Sequence, residues 1–167
     1  MQSAFITAYD EYADAIFKHC YFRVYDRERA CELMQETFTK TWEYLAMGNT
    51  IKNLRAFLYK TANHLIIDEV RRRKRRKEES YEEMAENGFE IAGEQGEDAI
   101  SIIGNKQRAG EVIKRIREPY RTAILMRYVD GLSITEIASA LGTTKNVVSV
   151  RISRGLEGVR NQFARHG

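Results

Sequence analysis

NLRAFLYKTANHLIIDEVRRRKRRK, from Asn53 to Lys77, decides how the chain is read, because two patterns meet in it. Leu54, Phe57, Leu58, Thr61 and Leu65 recur at helical spacing, which predicts a helix with one face in a core. The last seven residues, Arg71 to Lys77, are all basic. A buried helix running into a cationic end suits a rigid element presented to a polyanion, since each Lys or Arg laid on a phosphate releases counterions and adds sequence-independent affinity. Taken alone, such a run reads equally as a solvated charge patch or a sorting signal. The decision falls to its surroundings.

The charge of the whole chain is segregated. Residues 1–70 hold 8 basic and 10 acidic side chains, 71–77 hold 7 basic, 78–105 hold 9 acidic and no basic, and 106–167 hold 12 basic and 5 acidic. Two cationic regions flanking an anionic one predict two polyanion-binding units with a connector that is not itself one. At 167 residues and 43% hydrophobic content the chain can build one medium or two small cores. It has no apolar run of membrane-spanning length and no signal-peptide pattern, with Asp10, Glu11 and Asp14 early, so a cytoplasmic protein without membrane insertion is expected. Cys20 and Cys31 lack CxxC spacing and read as reduced core thiols. His19 beside Cys20 could be half a metal site, but no paired ligand spacing accompanies it.

Going outward from the opening stretch, Ser3 to about Val24 predicts an amphipathic helix through Phe5, Tyr9, Tyr12, Ile16 and Cys20, widened by Phe17 and Tyr21. Asp26 reads as the N-cap of a helix over Arg27 to Ala46 that turns Ala30, Leu33, Met34, Phe38, Thr41 and Leu45 inward. With the helix at Asn53–Lys77, these predict a compact three-helix domain. From Glu78 to Asn105 glycines interrupt the pattern, and a flexible acidic linker is expected, with a transient helix around Ser80 to Glu86. Fully extended, it reaches about 95 Å.

Helical order resumes at Gln107 to Arg117, with Val112, Ile113 and Ile116 inward, and stops at Pro119. Tyr120 to Val129 is the next expected helix, carrying Ala123, Ile124 and Tyr128 inward, and Asp130-Gly131 ends it. Ser133-Ile134-Thr135-Glu136 reads as a capping box, Leu141-Gly142-Thr143 as a turn, and Thr144 as the cap of a longer helix. Ser133 to Arg160 thus fits a helix-turn-helix, with Ala138 allowing close approach and Val148, Ile152, Leu156 and Val159 forming the inner stripe. Lys145, Asn146, Ser149, Arg151 and Arg154 are the candidate DNA contacts: Asn and Arg can pair with base edges while Lys, Ser and Arg reach phosphates. An ordinary helical hairpin with a polar face is the competing reading.

Three stretches in order carry a family resemblance: CELMQETFTKTW (Cys31–Trp42), NLRAFLYKTAN (Asn53–Asn63) with Asp68 and Arg71–Arg73, and YVDGLSITEIA (Tyr128–Ala138) with Arg151-Ile-Ser-Arg154. Together they resemble the two conserved regions of the sigma-70 family, and the lack of other regions is similar to its small extracytoplasmic-function (ECF) group. The resemblance implies a transcription initiation factor that binds core RNA polymerase, recognises minus-ten and minus-thirty-five elements and promotes strand opening. Polymerase binding would fall to Glu32, Gln35, Glu36, Phe38 and Lys40, with the clamp helices of the largest subunit as the docking partner. Minus-ten DNA would fall to Asn53, Asn63, Arg71, Arg72 and Arg73, a base flipped from the stack meeting Asn63 and the loop Met47 to Asn53. Minus-thirty-five DNA would fall to Lys145, Asn146, Ser149, Arg151 and Arg154, and the acidic linker would thread polymerase channels.

The recognition helix departs from the family pattern, which more often has glycine and threonine at the places of Asn146 and Val147 and a basic residue at Ser149. Cys31 and Glu32 stand where acidic residues are usual. An anti-sigma factor is a further implied partner.

The expected architecture is therefore all-α: residues 1–77 as an N-terminal helix bundle, 78–105 as an acidic linker and 106–167 as a helix-turn-helix bundle. No catalytic, cofactor-binding or metal site is expected, since no paired acids at metal spacing, phosphate-cradling glycine loop or nucleophile with a base stands out. The alternative is a stand-alone helix-turn-helix regulator that binds operators without polymerase.

Overall fold

The computed structural model describes residues 2–87 and 107–166. All regular elements among them are helical. Helix α1 spans Gln2–Val24 and α2 spans Arg27–Ala46. Helix α3 spans Leu54–Asn87, 34 residues, about 51 Å at 1.5 Å per residue. Helix α4 is Gln107–Arg115 and α5 is Tyr120–Ile124, continued by a π-helical turn, Leu125–Val129. Helices α6, Ile134–Leu141, and α7, Lys145–His166, complete the chain.

The local signals act where their chemistry places them. Asp26 caps α2, its Oδ1 accepting from the Arg29 amide at 3.0 Å. The capping box of α6 is complete: Glu136 N–H donates to Ser133 Oγ at 3.1 Å and Ser133 N–H donates to Glu136 Oε1 at 3.2 Å. Gly142 closes α6 at φ +65°, a left-handed conformation that costs glycine least, and the Val147 amide donates to Thr144 Oγ1 at the start of α7. Helix α3 runs past Lys77 without a break, so the acidic residues Glu78 to Glu86 continue the basic helix instead of beginning a loop. The rest of the expected linker, 88–105, lies outside the described residues.

Helices α1, α2 and α3 pack on one another through Ile16, Cys20, Leu33, Met34, Phe38, Leu58, Tyr59, Ala62 and Ile66. The predicted stripe of α1 is correct in its second half only. Tyr9 is 37% exposed and Phe5 half-buried, whereas the last turns, Cys20 to Phe22 and Val24, are buried on several sides. The cause is tertiary: that end of α1 is enclosed by the C-terminal unit as well as by its own bundle. Leaving α1, the chain passes through Tyr25 at φ +52°, a backbone state costing a non-glycine residue about 1–2 kcal/mol. The ring is held against Tyr21 at 6.4 Å and beneath Lys114 Nζ at 4.4 Å.

Tyr128 also departs from its predicted inward position and is 59% exposed. In the π-helical turn the Asp130 amide donates to the Leu125 carbonyl five residues back, and Leu132 N–H donates to Met126 O. The widened turn changes the helical phase, so Leu125 and Met126 enter the core and Tyr128 faces out. Against this unit packs α7, where the backbone of Gly155 lies under Ile124. A Cβ there would stand 2.5 Å from Ile124 Cγ1 and 2.9 Å from Cδ1. Gly155→Ala should therefore lower stability by about 1–2 kcal/mol, overpacking outweighing the alanine's better helix propensity, as a urea unfolding midpoint would record. A raised midpoint would show that Ile124 yields without cost.

A buried junction and two candidate nucleic-acid surfaces

The two units share one hydrophobic core, with α6 lying along α3 and Leu132, Ile137 and Ala138 in the same cluster as Ile16, Cys20 and Leu58. Polar contacts fix the junction. His19 Nδ1 lies 3.0 Å from Asp130 Oδ2, with the side chains 0% and 3% exposed. Since a carboxylate oxygen accepts, the proton sits on Nδ1. Arg55 Nη2 donates to the Asp130 carbonyl at 2.6 Å, and Arg55 Nη1 stands 3.9 Å from Glu136. The Tyr59 ring meets His19 edge-on at 5.1 Å. Burial first, and then the Asp130 charge, push the Tyr59 phenol far up and the Cys20 thiol up to about 12. Cys20 is thus an unreactive core thiol.

A second contact lies at the far side of the junction. Arg23 Nε stands 3.3 Å from Glu118 Oε1, and Arg23 Nη1 donates to Asn63 Oδ1 at 3.3 Å. Burial works to raise the Glu118 carboxyl, but Arg23, the Thr122 hydroxyl and amide, and Arg121 outweigh it and hold it below the ordinary carboxylate range.

These positions sort the predicted site residues. On α2, Gln35 and Lys40 are exposed and Glu36 is half-buried, so all three reach the outer face. Glu32 is exposed but pairs with Arg29 at 2.7 Å. Phe38 is only 3% exposed, covered by Tyr9 at 4.8 Å and Phe5 at 6.0 Å. Most of the apolar surface beside Gln35 comes from Phe5, Ile6, Tyr9 and Trp42, which together with Phe38 line a groove of about 470 Å³.

On α3, Asn53 is the helix cap, its Oδ1 accepting from the Ala56 amide at 3.0 Å. Asn63 is 5% exposed and held by Arg23, so it does not face open solvent. Arg71 and Arg72 are exposed. Arg73 is committed to the fold: it donates to the Val24 carbonyl at 2.6 Å and to Glu69 at 3.2 Å, and reaches Asp26 at 3.5 Å. Glu69 is 5% exposed, and although burial raises its carboxyl, Arg29 and Arg73 hold it below the ordinary value. The basic run is thus divided by function, and its third arginine ties α3 to the start of α2.

On α7, Lys145, Asn146, Ser149 and Arg154 are exposed and Arg151 is half-buried. Arg154 Nη1 donates to the Tyr120 hydroxyl at 3.3 Å, and this bond, followed by Arg117, lowers the Tyr120 phenol. Val148 and Ile152 point into the core, so the polar residues and Val147 and Val150 face away from it. Sequence reasoning treated Asp130 only as a helix stop and His19 as a rejected metal ligand. It gave Arg23 and Arg55 no role, because their partners lie far along the chain. Among the described residues no group of three or more His, Cys, Asp or Glu could hold a metal ion, and no helix is long and apolar enough to cross a membrane.

A helical bundle with an exposed basic helix, joined to a helix-turn-helix whose second helix is cationic outward, defines a two-unit DNA-binding protein. Residues 8–76 match the family model of sigma-70 region 2, and residues 106–157 match that of sigma-70 region 4. The ECF RNA polymerase sigma factor SigW of Bacillus subtilis is 28% identical over 176 residues, covering 97% of this chain and 90% of that protein. SigL of Mycobacterium tuberculosis, also an ECF RNA polymerase sigma factor, is 24% identical over 153 residues, covering 91% and 84%. Among solved structures, the sigma factor RpoE of Bartonella quintana, in complex with the anti-sigma factor NepR, superposes with a TM-score of 0.74 at 18% identity over 96% of this chain and 97% of that one. CnrH, in complex with the cytosolic domain of CnrY, gives 0.73 at 17% identity, over 100% and 92%. The chain belongs to the sigma-70 family, in its extracytoplasmic-function group, and is a transcription initiation factor. The stand-alone regulator is not favoured, because such a protein has no need of the region 2 unit at residues 8–76.

Asp130→Ala would leave the His19 Nδ1–H without its acceptor inside a closed core, while the main-chain carbonyl that Arg55 uses remains, a loss of about 1–3 kcal/mol for an unsatisfied buried donor. In a Cys31→Ser background, labelling of Cys20 by a thiol reagent should then accelerate at least tenfold as the junction opens. Unchanged protection of Cys20 would show that apolar packing alone holds the two units together.

Proposed function

We propose that residues 1–77 dock on core RNA polymerase and engage the minus-ten element, that 78–105 connect, and that 106–167 read the minus-thirty-five element. Polymerase contact is assigned to Gln35, Glu36 and Lys40 with the rim of Glu32, Phe38 acting from beneath as the packing that sets their helix. The observation that carries the reading is the ordered pair of sigma-70 regions on one chain, each presenting cationic or polar side chains away from a shared core. Arg71 and Arg72 are assigned to duplex phosphates. Arg73 contributes by positioning the helix they stand on. Asn53 and Asn63 are assigned to the melted minus-ten strand, Asn63 meeting a flipped base once Arg23 has let go of it. Opening the Arg23–Glu118 contact frees Arg23 to leave Asn63, so the packed arrangement of the two units fits a resting state and promoter recognition an opened one. Lys145, Asn146, Ser149, Arg151 and Arg154 are assigned to the upstream duplex.

RpoE and CnrH were solved bound to NepR and to CnrY, and an anti-sigma factor is proposed as the regulatory partner here. The function resides in binding: the factor brings the polymerase's own chemistry to a promoter and stabilises the opened strands. Its place of action is the cytoplasm, where polymerase and DNA are.

Reconstitution tests the reading. Purified chain added to cognate core polymerase should direct initiation from one promoter class selected out of genomic fragments, and failure to do so with inhibitor-free protein would end the proposal. Gln35→Ala with Glu36→Ala should abolish association in a polymerase pull-down while leaving thermal unfolding unchanged, and retained association would move the docking surface elsewhere. Arg71→Ala and Arg72→Ala should each reduce the salt dependence of holoenzyme–promoter binding by about 0.9 in slope. Arg73→Ala should instead lower the unfolding temperature, and a phosphate-like salt effect at that position would reverse its assignment.

A further inference from the structure

Around α7, at 100° per residue, Val148, Ile152, Gly155, Leu156 and Val159 gather on the side turned toward the core. Opposite them, Val150, Arg154 and Val147 occupy a sector roughly 60° wide, with Asn146 beside it. Two β-branched apolar residues thus share the outward face of the helix with Arg154, which falls between them around the axis, and with Asn146 beside them. Val147 is 37% exposed and Val150 41% exposed. With Pro119 and Tyr120 they line a shallow concavity of about 290 Å³, edged by Asn146, Arg151 and Arg154. Neither valine belongs to the buried cluster of the core, and β-branched residues are only moderate helix formers.

We infer that Val147 and Val150 are specificity-determining residues that read thymine 5-methyl groups in the upstream promoter element. The inference rests on α7 being the recognition helix. The occupant is duplex DNA because the apolar floor is edged by two arginines, Arg151 and Arg154, and residues 106–167 as a whole carry 12 basic against 5 acidic side chains. In the major groove the one apolar group a base pair offers is the thymine methyl. Arg151 and Arg154 at the edge reach phosphates or guanine edges and set the depth of the helix, while the valines meet methyls that a serine or lysine at these positions would leave in water. The absence of a basic side chain at Ser149 fits the same division: base identity is read by methyl contact and by Asn146, and affinity comes from the edge.

The test uses holoenzyme made with the full chain and the upstream element recovered by selection from randomised promoters. Each thymine of that element is replaced singly by uracil, which removes only the methyl group, and binding is measured at fixed salt. Uracil at one or two positions should weaken binding about fourfold each, the factor for one buried methylene-sized group. In the Val147→Ala, Val150→Ala variant the same replacements should have no effect, a coupling that a merely structural role would not produce. Val150→Thr, of equal shape and still carrying one γ-methyl, guards against altered folding and should keep part of the methyl dependence, whereas Val150→Ser, which has none, should lose it at its own position.

Equal uracil effects in wild type and variant, or none in either, would overturn the inference, as would valine variants that weaken assembly with core polymerase in the absence of DNA, which would make the face a protein-docking surface. Promoter-selective initiation without methyl dependence would sink this inference alone, whereas loss of promoter-selective initiation by the unaltered chain would sink the functional reading beneath it.

Discussion

The side chain of Asp130 enters the N-terminal bundle, and the arrangement of the two units depends on that insertion. Its carboxylate meets His19, its backbone carbonyl accepts from Arg55, and its charge acts on Tyr59 and Cys20. Removing a carboxylate from water is costly, so the contact is not a source of much net stability in itself. The apolar cluster shared by Ile16, Cys20, Leu132 and Ile137 supplies the favourable burial, at about 1.5–3 kcal/mol per large side chain. What the buried pair supplies is register, since sliding α6 along α3 would leave a charge unpaired in a dry interior.

The π-helical turn makes the insertion possible. A regular α-helix through Leu125–Val129 would keep Tyr128 in phase with Ile124, whereas the widened turn releases Tyr128 to solvent and directs the following Asp130-Gly131 corner at α1. The same corner then begins the helix-turn-helix through the Ser133–Glu136 capping box. A local irregularity in one unit thereby sets the position of the recognition helix relative to the whole N-terminal bundle. Arg23, paired with Glu118 on one side and Asn63 on the other, places a candidate minus-ten residue and the junction in one connected network.

The basic segment of α3 illustrates how a uniform sequence is divided by its setting. Arg71, Arg72 and Arg73 are chemically identical, yet Arg73 is the one that reaches Glu69, Asp26 and the Val24 carbonyl together, Arg72 coming only within 3.9 Å of Glu69. Helical periodicity dictates this: Glu69 and Arg73 are four residues apart on one face, and Arg71 points away. The acids that follow Lys77 continue the helix instead of breaking it, since Glu is as good a helix former as Lys or Arg and no glycine intervenes before Gly88.

The sequence by itself determined the helices of the two units, most of their caps and part of their inward stripes. Those are set by neighbours within a few residues: Asp26, the Ser133–Glu136 box, Gly142, and apolar repeats such as Val148–Ile152. On α3 the sequence found Leu58, while Tyr59, Ala62 and Ile66 fill the core and Phe57, Thr61 and Leu65 are only half-buried. It also determined the family, because three motifs in order are a local record. Only the tertiary structure decided which polar residues are spent on packing, since that depends on partners remote in sequence. His19 and Asp130 are 111 positions apart and Arg23 and Asn63 are 40 apart, distances over which no periodicity carries information. Asn63 looks like surface chemistry in one dimension and is covered in three, Arg73 is tied into the fold by partners on other elements, and Phe38 is buried where its place on the inward stripe of α2 puts it, not on the docking face that the family resemblance implies. Val147 and Val150 look like core by composition and stand on the outer face of the recognition helix, because burial is assigned by what packs against a helix and not by the side chain alone.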